Sequence, residues 1–187
     1  MTPEVIAFTT RWWEALLDDE PRMVRWLQKL WLTEYNGYAD NMEASKKWAG
    51  ANPAVENIFH RTAEDEEEHA NLLRGLLTLR GAFPPEPWPQ ESDYWAQMEA
   101  HIVSLETCAA VFHLGEKLAA ERFEVLAAHP RTPWDIKTFL DIALPDEQHH
   151  ARVFLKLTTP QALADITTAH EQIVAKLKSP AAKAEKD

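Results

Sequence analysis

The 187-residue chain carries a net charge of −11 and a single cysteine, Cys108. That length is one domain's worth of core, and the acidic balance excludes general nucleic-acid binding, which needs a basic face. One cysteine rules out an internal disulfide, a thiolate zinc cage and a rubredoxin-type iron centre, so Cys108 is expected to be an inert buried thiol. Only 5 glycines, against abundant Ala, Leu and Glu, predict an all-α chain. No basic leader precedes an apolar run at Met1–Leu17 and no apolar run is long enough to span a bilayer, so a cytoplasmic protein without membrane contact is expected.

In chain order, residues 4–19 read as a short amphipathic helix ending before Pro21. A first long helix is predicted from Pro21 to Ala49, closed by Gly50, and a second from Ala54 to Arg80, closed by Gly81. The segment GAFPPEPWPQ that follows is too proline-rich for a helix and should be extended. A third helix is predicted over Ser92–Ala128, turning at Pro130 and Pro133, and a fourth over Trp134–Thr158. Gln161–Lys178 reads as a terminal amphipathic helix, and residues 179–187 as a disordered tail, leaving 1–178 as a single helical domain. The two short turns each join antiparallel neighbours. The second helix should be roughly 40 Å long, and the eleven or so residues from Gly81 to Glu91, if extended, reach about 35 Å. Two helical hairpins joined by one long crossover are therefore expected, forming a four-helix bundle with short extra helices at each end.

Two hexads match each other. Asp65-Glu66-Glu67-Glu68-His69-Ala70 and Asp146-Glu147-Gln148-His149-His150-Ala151 both read D-E-x-x-H-A. Positions i and i+3 share a helix face, so Glu66 with His69, and Glu147 with His150, are placed to hold one ion each. One E-x-x-H pair is weak evidence; two, sharing their flanking residues and lying on alternate helices, form a pattern. Such a site also needs one Glu from each remaining helix. Glu34 lies 32 residues before Glu66 and Glu116 lies 31 before Glu147, which sets each pair at similar depth from its turn. Glu43 on the first long helix and Glu106, Glu121 and Glu124 on the third fit that depth less well. Around each chosen Glu the inward stripe is otherwise largely apolar, as with Phe59, Ala63, Leu73 and Leu77 around Glu66. Gly37, a poor helix former one turn after Glu34, predicts a distortion of the first long helix at that point.

Taken together, Glu34, Glu66, His69, Glu116, Glu147 and His150 resemble the ligand order of the ferritin-like di-iron carboxylate superfamily, which includes bacterioferritins, rubrerythrins, aldehyde-deformylating oxygenases and tRNA-hydroxylating monooxygenases. The resemblance covers about residues 22–158. It implies a ferritin-like four-helix bundle with two metal ions in its core, bridging carboxylates from some of the four Glu, and one terminal His on each ion. Asp65 and Asp146 are similar to the Asp of the family's D-E-x-x-H form that hydrogen-bonds a ligand His and orients it.

Six N/O ligands without thiolate suit iron or manganese, with zinc as an opportunistic occupant. The function expected first is an oxidoreductase that activates dioxygen or peroxide, with an external electron donor and a small apolar substrate near the alanines beside the ligands. A ferroxidase or iron-storage protein is the second reading, and a metal-free helical interaction protein the third. His113, one turn before Glu116, is read either as a supplementary ligand or as a partnered core histidine. Tyr38 is read either as a donor of a hydrogen bond or electron near the site, or as a buried bundle tyrosine. Pro145, two residues before Glu147, either opens space at the site or bends the helix around the bundle. The eight Trp are assigned to core or to a subunit contact in a homodimer.

Overall fold

The structure is a computed structural model, and it describes residues 1–50, 52–86 and 93–177. Among the described residues there are seven helices and no strand: α1 (Pro3–Leu17), α2 (Glu20–Trp48), α3 (Pro53–Leu79), α4 (Asp93–Glu99), α5 (Leu105–Ala128), α6 (Trp134–Leu155) and α7 (Pro160–Leu177). The chain is all-α and of the ferritin-like class expected from its sequence. It divides into two compact units, one of Met1–Trp88 with Leu118–His149 and the other of Pro89–Lys117 with His150–Asp187.

The helix starts follow from local chemistry. Thr2, Asp19 and Asn52 each stand in extended conformation before a helix, and each side chain accepts a hydrogen bond from a first-turn amide that the helix itself leaves unpaired. Pro3, Pro21 and Pro53 lie in those first turns, where a missing N–H costs nothing. The end of α3 is equally local. Gly81 N–H donates to Thr78 O at 3.0 Å and Ala82 N–H to Leu77 O at 2.9 Å, a pairing that closes only if Gly81 adopts its positive φ of 65°.

In the first unit α2 and α3 pair closely along their lengths. Their antiparallel register shows in contacts spread along the pair: Ser45 Oγ donates to Glu56 O at 3.2 Å near the turn, and His69 faces Glu34 well away from it. Trp13, Leu27, Trp31, Leu73, Leu77, Phe123, Phe139 and Leu140 fill the core they share with α1, α5 and α6. Trp13 is fully buried, and its indole N–H donates to Thr132 Oγ1 at 2.9 Å, which ties α1 to the α5–α6 turn. Arg80 reaches from the end of α3 to Asp135 at the start of α6, with 2.7 Å between Nη1 and Oδ2 and both side chains largely buried.

In the second unit α4 packs on α7, where Tyr94 Oη and His170 Nδ1 lie 2.8 Å apart. Phe112 and Phe154 pack ring to ring at 5.2 Å. Cys108 is buried, as expected, and forms no disulfide.

Two expectations need restating. The continuous helix predicted over Ser92–Ala128 is broken between Glu99 and Leu105 into α4 and α5. Ser104 is the cause: its Oγ accepts from Thr107 N–H, while Thr107 Oγ1 accepts from Ser104 N–H at 2.9 Å and from Val103 N–H at 3.0 Å. This reciprocal capping box starts a new helix at Leu105 and leaves Val103 exposed. The proline-rich crossover falls partly, and the 179–187 tail wholly, outside the described residues.

Replacing Gly81 with alanine forces a Cβ into left-handed backbone, and should lower stability by about 1 kcal/mol in chemical denaturation. The Arg80–Asp135 pair has a pH signature. Burial pushes the Asp135 carboxyl up, but hydrogen bonds from Arg80 and the Ile136 amide, with the guanidinium charge, bring it below the ordinary 3.8. A depressed folded-state pKa stabilises fully above the unfolded value, and that contribution is lost as pH falls through the folded value. Wild type should therefore melt above Asp135→Asn by a constant margin near neutral pH, and the margin should close as pH falls below 3.8.

Candidate metal centre

Six carboxylate or imidazole side chains are buried among the described residues: Glu34, Glu66, His69, Glu116, Glu147 and His150, none more than 7 % exposed. No Asp, Lys or Arg of the described residues joins them. These are the same six that the spacing of the two hexads and their partner glutamates selects. A carboxylate withdrawn from water is costly unless a positive charge or several donors face it, so each buried Glu calls for compensation.

Four of the six converge within the first unit. Glu34 from α2, Glu66 and His69 from α3 and Glu147 from α6 each offer a ligand atom, and these atoms all lie within 4.8 Å of one another. His69 Nδ1 lies 3.3 Å from Glu34 Oε2 and 3.6 Å from Glu147 Oε1, so one ring nitrogen faces the carboxylates of two other helices. Its other nitrogen, Nε2, lies 3.3 Å from Asp146 Oδ2. Burial pushes the His69 imidazolium down in pKa, yet the bonds and charges of Glu34 and Asp146 outweigh it and the net shift is upward. Phe139 sets its ring edge-on to the imidazole at 6.2 Å and closes the apolar side.

Gly37 proves to be a clearance rather than a distortion. α2 runs unbroken through it, and a Cβ built there would stand 3.0 Å from Glu66 Oε2. The absence of a side chain at Gly37 is what lets the Glu66 carboxylate lie against the α2 backbone.

Asp146 meets a histidine across helices, the His69 of the other hexad. Asp65 is partly buried on α3. Glu116 on α5 and His150 on α6 belong to the second unit; both are buried, and His150 follows Glu147 by one turn of the continuous α6. Pro145 lies inside α6 without ending it. His113 takes the structural course: its Nδ1–H donates to the carbonyl of Ala151 at 2.7 Å, which fixes the ring to α6 within the second unit. Tyr38 is half-buried on α2.

The donor set of the four-residue cluster is one imidazole and three carboxylates without sulfur, the chemistry that suits iron or manganese and accepts zinc. Its shared carboxylates and mutual spacing are compatible with a two-metal site. The family model for rubrerythrin matches residues 32–158, more than half of the chain and a span that holds all six buried carboxylate and imidazole residues. The chain belongs to the rubrerythrin family. No curated protein and no solved structure matches it. For a rubrerythrin-family chain, the register of α2 against α3 acquires a chemical reading: it brings Gly37 to Glu66 and Glu34 to His69 on one interior face.

Gly37→Ala should separate fold from site. Alanine favours helix over glycine by about 1 kcal/mol, so α2 gains, while the added methyl presses the Glu66 carboxylate out of place. The expected outcome is an unchanged or higher melting temperature of the metal-free protein, with a clear loss of bound metal by elemental analysis.

Proposed function

We propose that this rubrerythrin-family protein is a two-metal oxidoreductase, loaded with iron, that reduces peroxide using electrons supplied from outside the 187 residues. The observation that carries the proposal is the convergence of Glu34, Glu66, His69 and Glu147 in an apolar interior. A buried acidic cluster of this kind is stabilised by bound cations, and a redox role is what their enclosure favours.

Glu34, Glu66, His69 and Glu147 would hold the metal, with Glu116 and His150 completing the second position. The assignment of those last two rests on the hexad symmetry, the matched depth of Glu116 and the burial of both. Two ferrous ions would supply the pair of electrons that cleaves an O–O bond. The protein's own contribution is to position and to enclose. His69 would ligate through Nδ1, the nitrogen that faces Glu34 and Glu147, and this leaves its proton on Nε2, donated to Asp146 Oδ2. Asp146 thereby fixes both the tautomer and the plane of the ring. Phe139 and the fully buried Leu73 and Leu140 keep bulk water from this side of the site.

The single cysteine is too few for an iron centre held by four thiolates, so on this reading the reducing equivalents come from outside these 187 residues. Dioxygen in place of peroxide, with a small apolar substrate taking the oxidising equivalents, is the neighbouring reaction for the same residues. Ferroxidase and storage chemistry would instead retain mineral iron in a large assembly.

The test compares wild type with a Glu66→Ala, Glu147→Ala double variant after anaerobic ferrous loading. About two iron per chain is expected for a two-metal site, with peroxide consumption in the presence of a chemical reductant; both should be lost in the variant while its circular dichroism stays helical. Peroxide turnover that persists in the iron-poor variant would refute the assignment. Iron far beyond two per chain in a large assembly would turn the reading to storage.

A further inference from the structure

Trp31 lies one turn before Glu34 on α2, on the same inward face, and only 3 % of it is exposed. One turn further along the helix surface, Tyr35 lays its ring on Trp31, with centroids 5.1 Å apart and planes only 20° from parallel. Tyr35 is 38 % exposed. Two oxidisable rings in contact thus run from the helix face that carries a buried carboxylate of the site to solvent, within a single turn of one helix.

We propose that Trp31 and Tyr35 form a relay that carries single electrons from a reductant at the α2 surface to the buried site. The proposal rests on the redox reading above, since a relay has work only where oxidising equivalents form.

The hydrogen bonding of Trp31 sets the direction. Its indole N–H is buried and has no hydrogen-bond partner among the described residues, and an indole nitrogen is a donor only. When Trp31 gives up an electron, no adjacent acceptor takes that proton. The ring therefore remains a protonated radical cation, a stronger oxidant than the neutral radical it would become on deprotonation. It is relieved by its neighbour: Tyr35 passes an electron to Trp31 and releases its phenol proton to water, which its exposure allows. A one-electron reductant of small-molecule or redox-protein class returns the electron to Tyr35, and water returns the proton. Reducing one peroxide to two waters takes two electrons and two protons, so the relay runs twice per turnover and ends with both rings unchanged. Stacking alone would explain the ring contact, but it gives no reason to hold a polar indole edge in the core without a partner beside a ligand helix position.

The experiment uses the iron-loaded protein, mixed with hydrogen peroxide without added reductant and frozen at short times for electron paramagnetic resonance. Wild type, Tyr35→Phe and Trp31→Phe are compared, with ring-deuterated tyrosine to identify the radical. Wild type should give a tyrosyl signal that narrows on deuteration. Tyr35→Phe should lose that signal and show a tryptophan radical instead, and its oxidised iron should be reduced by ascorbate more slowly than in wild type. Because the Trp31 variant alters the core, Tyr35→Phe is the deciding one, and unchanged melting and iron content are required of it. A tyrosyl signal that survives in Tyr35→Phe would place the radical on Tyr38 or Tyr94 and overturn the relay. Iron oxidation by peroxide with no protein radical in wild type would also overturn it, while leaving the two-metal reading intact. A wild type whose iron does not react with peroxide would overturn both.

Discussion

The fold of this chain is organised around a solvation problem. Glu34, Glu66, Glu116 and Glu147 are removed from water, as are His69 and His150, while the other buried side chains among the described residues are apolar or neutral polar groups. In an interior of low dielectric each carboxylate would be expensive alone. Bringing Glu34, Glu66 and Glu147 together makes matters worse in the absence of positive charge, because like charges repel. The arrangement is compatible with a site for two metal ions, whose positive charge would compensate the carboxylates that the local structure holds inward.

His69 shows how this is managed. Its ring is gripped at both nitrogens by carboxylates from two other helices, Glu34 on α2 and Asp146 on α6. The net upward shift of its pKa shows that the acidic surroundings outweigh burial. One imidazole therefore links three helices, and the flanking Asp of one hexad serves the His of the other. The D-E-x-x-H-A sequence of α3 gains its meaning from that contact, since His69 is held from α6 by Asp146 of the other hexad.

The helices and the six buried Glu and His residues were legible in the sequence because they leave periodic marks: a stripe of apolar residues with single carboxylates in it, and proline or glycine at the ends. What escaped has a local or three-dimensional cause. The break between α4 and α5 is written in Ser104 and Thr107, a capping pair that an uninterrupted helical pattern around it conceals. Gly37 reads as a defect in α2, because the carboxylate that needs its bare backbone lies 29 residues away on α3. The partner of Asp146 was hidden for the same reason, since spacing along one helix says nothing of which neighbouring helix an outward-leaning side chain meets. Trp31 and Tyr35 are ordinary core and surface residues by pattern; the stacked ring contact, joined to an indole N–H that Trp31 shares with Trp48 in being buried without a partner among the described residues, appears only in the structure.

The register of α2 against α3 has a consequence for how the chain tolerates change in length. Ser45 with Glu56, Gly37 with Glu66 and Glu34 with His69 are anchored independently along the pair. The short connection beyond Trp48 is therefore not what aligns the two helices, and residues added there lengthen a loop whose closure entropy grows only slowly. One residue added between Gly37 and Ser45 would instead turn everything on its far side through about 100° of helix, and the interior face would lose either its hydrogen bond to α3 or its carboxylate. The connection is the natural place to graft a reporter or a reactive handle, and the span from Glu34 to Ser45 is where the chain counts its residues most strictly.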